Sequence, residues 1–141
     1  RCRPRPASSG AHPMDRRGRG YAAERAAERL LRRQGLVVLA RNWRGGGGEL
    51  DLAALDGDTI VFVEVKSRAG AFLEDRSPVG RPQRRRIAGA ARAFRRRYGV
   101  DRMPFRFDLV TVRGDPGGDA TVLWDKSWPQ ARMPRPGEGG E

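Results

Sequence analysis

Four charged side chains interrupt two apolar stretches of this sequence. Glu49 and Asp51 lie in "ELDLAALD", and Glu64 and Lys66 lie in "TIVFVEVK". Carboxylates spaced this way suit a hard divalent cation, because Mg²⁺ takes oxygen ligands and is commonly held by one or two carboxylates plus phosphate oxygens. The only cysteine is Cys2 and the only histidine is His12, so an internal disulfide and a Cys/His zinc site are both excluded.

The spacing of these residues depends on what joins the two stretches. Gly57-Asp58 fits a two-residue hairpin turn with glycine supplying a positive φ at its first position. That register places Asp51 opposite Glu64 and Glu49 opposite Lys66, all on the face that also carries Ile60 and Phe62. Carboxylates directly opposite one another repel unless something positive lies beside them, and a cation is the natural remedy. The alternative is a solvent-side Glu49–Lys66 ion pair with the other acids exposed, which the apolar context opposes. Glu24 is a third candidate acid. It sits at the edge of a helical apolar stripe with no basic residue at i+3 or i+4, whereas Glu28 has Arg32 four residues on. Glu24 is either directed toward the hairpin or is a surface glutamate paired elsewhere.

Seven elements would position these groups. "YAAERAAERLLRRQG" predicts a helix ended by Gly35, with Ala23, Ala27, Leu30 and Leu31 as its buried stripe. "LVVLARNW" predicts a strand, and the four glycines at 45–48 predict a flexible connection. No Gly-Lys-Ser/Thr follows them, so a phosphate loop is the weaker reading. The acidic hairpin comes next, then an irregular stretch, then a helix in "PQRRRIAGAARAFRRRYG" with Ile87, Ala91, Phe94 and Tyr98 inward. "FRFDLVTV" and "ATVLWD" predict two last strands around the turn "RGDPGGD", giving the order α-β-β-β-α-β-β. Residues 1–19 read as a disordered basic arm, 20–126 as the folded domain and 127–141 as a flexible tail.

With 29 basic against 17 acidic residues the net charge is +12, and residues 20–126 alone hold 21 basic and 14 acidic. Such an excess points to a polyanion. Nucleic acid fits better than a membrane, since no long apolar segment or secretory h-region is present. A cytoplasmic location is the corresponding expectation. The second helix carries Arg84, Arg85, Arg92 and Arg96 with few acids to offset them, which suits phosphate contacts. Lys66 and Lys126 are the only lysines, against 27 arginines.

Glu24, "GELD" (48–51) and "VFVEVKSR" (61–68), with "ARNW" before and "RFDLVTV" after, resemble the YraN-like family of uncharacterised bacterial proteins over roughly residues 18–113. That family is similar to the restriction-endonuclease-like superfamily and to archaeal Holliday-junction resolvases. The resemblance implies an α/β fold, a mixed central sheet of about five strands flanked by helices. It implies a metal-dependent endonuclease-like protein acting on DNA, including branched or structured DNA, with Mg²⁺ or Mn²⁺ as cofactor and a homodimer as its assembly. Asp51, Glu64 and the Val65 carbonyl would bind the ion, Glu24 would complete or support the shell, and Lys66 would act on the attacking water and the phosphate charge. Glu49 could tune Lys66 or be structural. Gln83 stands where related proteins often carry a lysine, with Arg84 or Arg85 as substitutes. The alternatives are a non-catalytic nucleic-acid-binding module with the same fold, or an adaptor for a nuclease or helicase partner.

Overall fold

A computed structural model describes residues 16–68, 81–115 and 118–127. Its elements are α1 (Arg16–Arg33), β1 (Val37–Gly45), β2 (Gly48–Asp56), β3 (Thr59–Arg68), α2 (Arg81–Arg97), β4 (Phe105–Arg113) and β5 (Thr121–Asp125). This is the expected order. α1 begins at Arg16, inside the segment expected to be a disordered arm; residues 1–15, the stretch 69–80 and the tail from 128 lie outside the described residues.

The five strands form one mixed sheet in the order β1-β2-β3-β4-β5, with β3 central and parallel to β4 and the other pairs antiparallel. The parallel β3–β4 pair requires a crossover, which α2 supplies. Neighbouring residues of β3 serve opposite cores. Val61 and Val63 pack with Ala23, Ala27 and Leu31 of α1, while Ile60 and Phe62 pack with Ile87, Ala91 and Phe94 of α2. A helix on each face explains why the run Ile60–Val63 is apolar throughout rather than alternating. Ala26 and Ala90 also reach the cores, Leu30 is half-buried, and Tyr98 is 53% exposed. Tyr98 therefore leaves the expected inward stripe: it follows the last helical residue, where the chain turns through Gly99 at φ 65°.

The glycine-rich connection is a tight turn rather than a flexible loop. Gly45 pairs with Gly48, and Gly46 and Gly47 span the turn at φ 59° and 77°. A Cβ on Gly48 would lie 2.1 Å from the Arg86 carbonyl oxygen, and one on Gly46 would lie 2.4 Å from that of Gly89. Glycine is needed because this hairpin end rests directly on the α2 backbone.

Candidate active site

The acidic hairpin has the expected register where it is paired. Asp56 pairs with Thr59, and the ladder runs back through Ala53/Phe62 to Leu52/Val63, with Gly57 at φ 60° in the turn. It stops there, and the expected facing pairs Asp51/Glu64 and Glu49/Lys66 are not formed as ladder pairs.

The reason lies in β1. Asn42 adopts φ 47°, a left-handed conformation that asparagine tolerates better than most residues. Arg41 and Trp43 would share a face in a regular strand. Instead Arg41 reaches Glu28 of α1, and Trp43 packs edge-on against Phe94 of α2 at 5.3 Å. Their partners on β2 behave the same way: Leu52, opposite Arg41, lies in the α1 core, and Leu50, opposite Trp43, lies in the α2 core. Asp51 stands at this reversal. Its Oδ2 accepts a 2.8 Å hydrogen bond from the Val65 N–H, taking the place of a strand partner. The N–H and C=O of one strand residue point to the same edge, so the Val65 carbonyl is turned to this gap as well.

Glu64 is buried, and its side chain bonds that of Asp51. Its Oε1 accepts from Gln83 Nε2 at 2.8 Å and lies 3.1 Å from Lys66 Nζ. Lys66 is thus the partner of Glu64 rather than of Glu49. Glu49 is exposed and lies 3.7 Å from Arg44, though its charge still acts on Asp51 and Glu24. Gln83, at the start of α2, holds Glu64 in place. Glu24 is half-buried and faces Asp51 electrostatically, while the Asn42 side chain bonds its carboxylate. The helical edge position therefore brings Glu24 to the hairpin, and Glu28 pairs with Arg32 at 2.8 Å as expected.

Burial and the Asp51 charge push the Glu64 carboxyl up to about 7, against the opposing pull of Lys66. Burial also raises Asp51, and burial plus Asp51 raises Glu24. Burial thus resists full ionisation of both carboxyls in the ion-free fold. That donor set fits a hard divalent cation, whose charge would offset two carboxylate ligands. Among the described residues no three Asp, Glu, His or Cys side chains converge closely enough to hold an ion unaided. The fit is to an ion held by two carboxylates and otherwise open to water and phosphate oxygens.

A raised acid pKa means that the folded state binds the extra proton. The Glu64 contribution to ion-free stability therefore falls as pH rises from the ordinary glutamate value of 4.5 to about 7, and is level above that. Its slope is at most about 1.4 kcal/mol per pH unit. Thermal melts in chelator should show a decline over this range in the unmodified chain, and Glu64→Gln should make it shallower.

Asn42 is a site residue that residue-type reasoning missed, although "ARNW" was singled out. The usable signal was an asparagine within a strand, a type enriched in left-handed conformations. Asn42→Gly and Asn42→Ala should both lose the bond to Glu24 and weaken any Mg²⁺-induced rise in melting temperature. Only Asn42→Ala should also destabilise the ion-free fold, by about 1 kcal/mol, because alanine pays for the positive φ.

Of the expected nucleic-acid contacts, Arg85, Arg92 and Arg96 are exposed and Arg84 is half-buried. Arg92, Arg96 and Arg97 line a recess of about 540 Å³ with Gly46, Gly89 and Ala93. Arg95, on the same helix, is instead a structural tie. It donates to the Asp101 carbonyl at 2.6 Å and lies 4.0 Å from the Phe105 ring centre.

The sequence model of "Uncharacterised protein family UPF0102" matches residues 23–112, a span that holds Glu24, Asp51, Glu64 and Lys66. A UPF0102 protein of Pseudomonas putida strain F1 is 42% identical over 112 residues, covering 77% of this chain and 89% of its own. One from Pseudomonas syringae pv. syringae B728a is 39% identical with the same coverage. One from Pseudomonas aeruginosa LESB58 is 46% identical over 100 residues.

Proposed function

The chain belongs to the UPF0102 family, and from that premise and the site geometry we propose that it is a metal-dependent phosphodiesterase acting on DNA, with branched or otherwise structured DNA as its substrate form. The observation that carries this reading is the buried Asp51–Glu64 pair with Lys66 Nζ 3.1 Å from Glu64. Two carboxylates in a core are costly to keep, and the single Lys66 ammonium offsets only one charge, so the pair suits a site built for an ion.

Asp51 and Glu64 would hold the Mg²⁺ or Mn²⁺, with the Val65 carbonyl available in the same gap. The ion, when bound, would supply Lewis-acid charge to the phosphate oxygens. Lys66 would orient the attacking water and offset developing negative charge, a task suited to a compact ammonium. Gln83 would fix the Glu64 carboxylate, and Glu24 with Asn42 would support the shell from α1. Glu49 is assigned no direct role. Arg85, Arg92 and Arg96, with the neighbouring recess, would hold backbone phosphates without reading bases. Arg84, half-buried, would reinforce that surface.

The test is incubation of the protein with labelled duplex, single-stranded and branched DNA in Mg²⁺ or Mn²⁺. Cleavage that persists undiminished in Asp51→Ala or Glu64→Ala would overturn the assignment. A non-catalytic nucleic-acid-binding module is favoured by one observation, the absence among the described residues of three converging metal ligands. That reading predicts salt-dependent binding that neither metal nor the Asp51 and Glu64 changes alter. No helix among the described residues is long and apolar enough to cross a membrane.

A further inference from the structure

A second recess lies against α1. It encloses about 440 Å³ and is lined by Tyr21, Arg25, Glu28, Arg29, Arg32 and Arg41. Four guanidiniums thus face one carboxylate, and that carboxylate is already engaged. Glu28 accepts from Arg32 at 3.0 and 2.8 Å and from Arg41 at 2.7 Å. These bonds fix Arg32 and Arg41 in place and still leave a strong positive excess. Tyr21 is 59% exposed, a large aromatic surface for a residue with no core to fill. It is nonetheless oriented: Arg25 donates to its hydroxyl at 3.3 Å and holds its guanidinium 5.6 Å from the ring centre.

The recess adjoins the acidic site. Tyr21 is about one helical turn before Glu24 on the same side of α1. Arg41 precedes Asn42, the residue that bonds Glu24. A flat aromatic ring set among arginines is what proteins use to stack one unpaired base while holding its phosphates.

We propose that the Tyr21 recess binds one unpaired nucleotide beside the scissile bond, its base stacked on Tyr21 and its phosphates held by Arg25, Arg29 and Arg41. This rests on the nuclease reading of the neighbouring carboxylates and adds a requirement to it: a single-stranded position next to the cut. The α2 recess is lined by no aromatic ring; the exposed Tyr98 stands at the end of that helix, with Arg97 5.6 Å from its ring centre.

The test is binding by the unmodified chain, in chelator, of a labelled duplex bearing a five-nucleotide single-stranded tail. The tail bases are replaced one at a time by abasic residues, and affinity is read by fluorescence anisotropy. One tail position should lose about fivefold or more in affinity when abasic, the range of one lost stacking contact. Tyr21→Ala should cause a similar loss with the intact tail and make that position indifferent to the base, whereas Tyr21→Phe should behave like the unmodified chain. Arg29→Ala should weaken all tails alike and lower the salt dependence by about one phosphate contact. A flat abasic scan, additive losses from Tyr21→Ala and the abasic tail, or no binding of the tail at all would each overturn the proposal. Tyr21 is exposed, so folding of the variants is checked simply by their circular dichroism. Because the readout is binding without metal, it stands apart from whether the chain cleaves. Loss of cleavage alone would sink the nuclease reading and leave the scan interpretable.

Discussion

Asp51→Asn is expected to abolish Mg²⁺-supported cleavage, a fall of at least about a hundredfold, and at the same time to stabilise the ion-free protein. The two effects have one origin. The Asp51 carboxylate is held against Glu64 in a buried gap, where burial raises both carboxyls and the Asp51 charge raises that of Glu64 further. Asparagine keeps an oxygen to accept the Val65 N–H, now made by Asp51 Oδ2 at 2.8 Å, so no backbone donor is orphaned. It removes the repulsion and removes the anionic oxygen a cation needs. The ion-free melting temperature at pH 8, where both carboxyls are driven toward ionisation, should therefore rise, and addition of Mg²⁺ should no longer shift it. A residue that merely braced the hairpin would show the opposite sign. If Asp51→Asn melted lower than the unmodified chain in chelator and still responded to Mg²⁺, the carboxylate pair would be structural. Such an inverse relation between stability and activity is what a site built from repelling groups requires.

Arg106→Ala is expected to be the most destabilising surface-accessible change, by roughly 3–5 kcal/mol, the cost of leaving a buried charge without its partner. Asp108 on β4 is fully buried beside the central strand, opposite Val63. Arg106 donates to Asp108 Oδ1 at 3.1 Å and, through Nη2, to Asp56 Oδ2 at 2.9 Å, tying β4 to the end of β2. Trp124 Nε1 and the Ser127 N–H also donate to Asp108, at 3.0 and 2.8 Å, which fastens β5 and the residue beyond it. Without the guanidinium, two neutral donors would remain for a charged group with no access to water. Asp108→Asn should cost less, because the amide is neutral and its oxygen can keep one of these donors. Urea melts should show the Arg106→Ala midpoint lowered with an unchanged slope. A shift equivalent to less than about 1 kcal/mol would mean that Asp108 is satisfied by Trp124 and Ser127 alone.

The element order was legible because apolar periodicity and turn residues are local properties. The central strand announced itself as an unbroken apolar run, and the Gly57-Asp58 turn set the hairpin register correctly from Asp56/Thr59 to Leu52/Val63. Asp51, Glu64 and Lys66 drew attention through residue type and spacing, as charges in strands apolar enough to be buried. Glu24, on a helix, was open between the site and a surface pairing until the family resemblance pointed to the site.

What tertiary structure alone decided is how those groups meet. Strict alternation put Glu49 beside Lys66, yet one left-handed residue, Asn42, reverses the alternation of β1 and with it that of its neighbour β2. The reversal swings Trp43 and Leu50 into the α2 core and turns Asp51 into the gap beside Val65. No local rule announces such a change, since it is stabilised by what Trp43 gains against Phe94, a residue more than fifty positions away. The four glycines are a similar case. Their flexibility is a property of the isolated chain, whereas their close contact with α2 exists only once the helix has packed. The Asp108 network was likewise invisible, because its donors come from β4, β5 and Ser127 and converge only in the folded sheet. Sequence named the charged groups; long-range packing chose their partners.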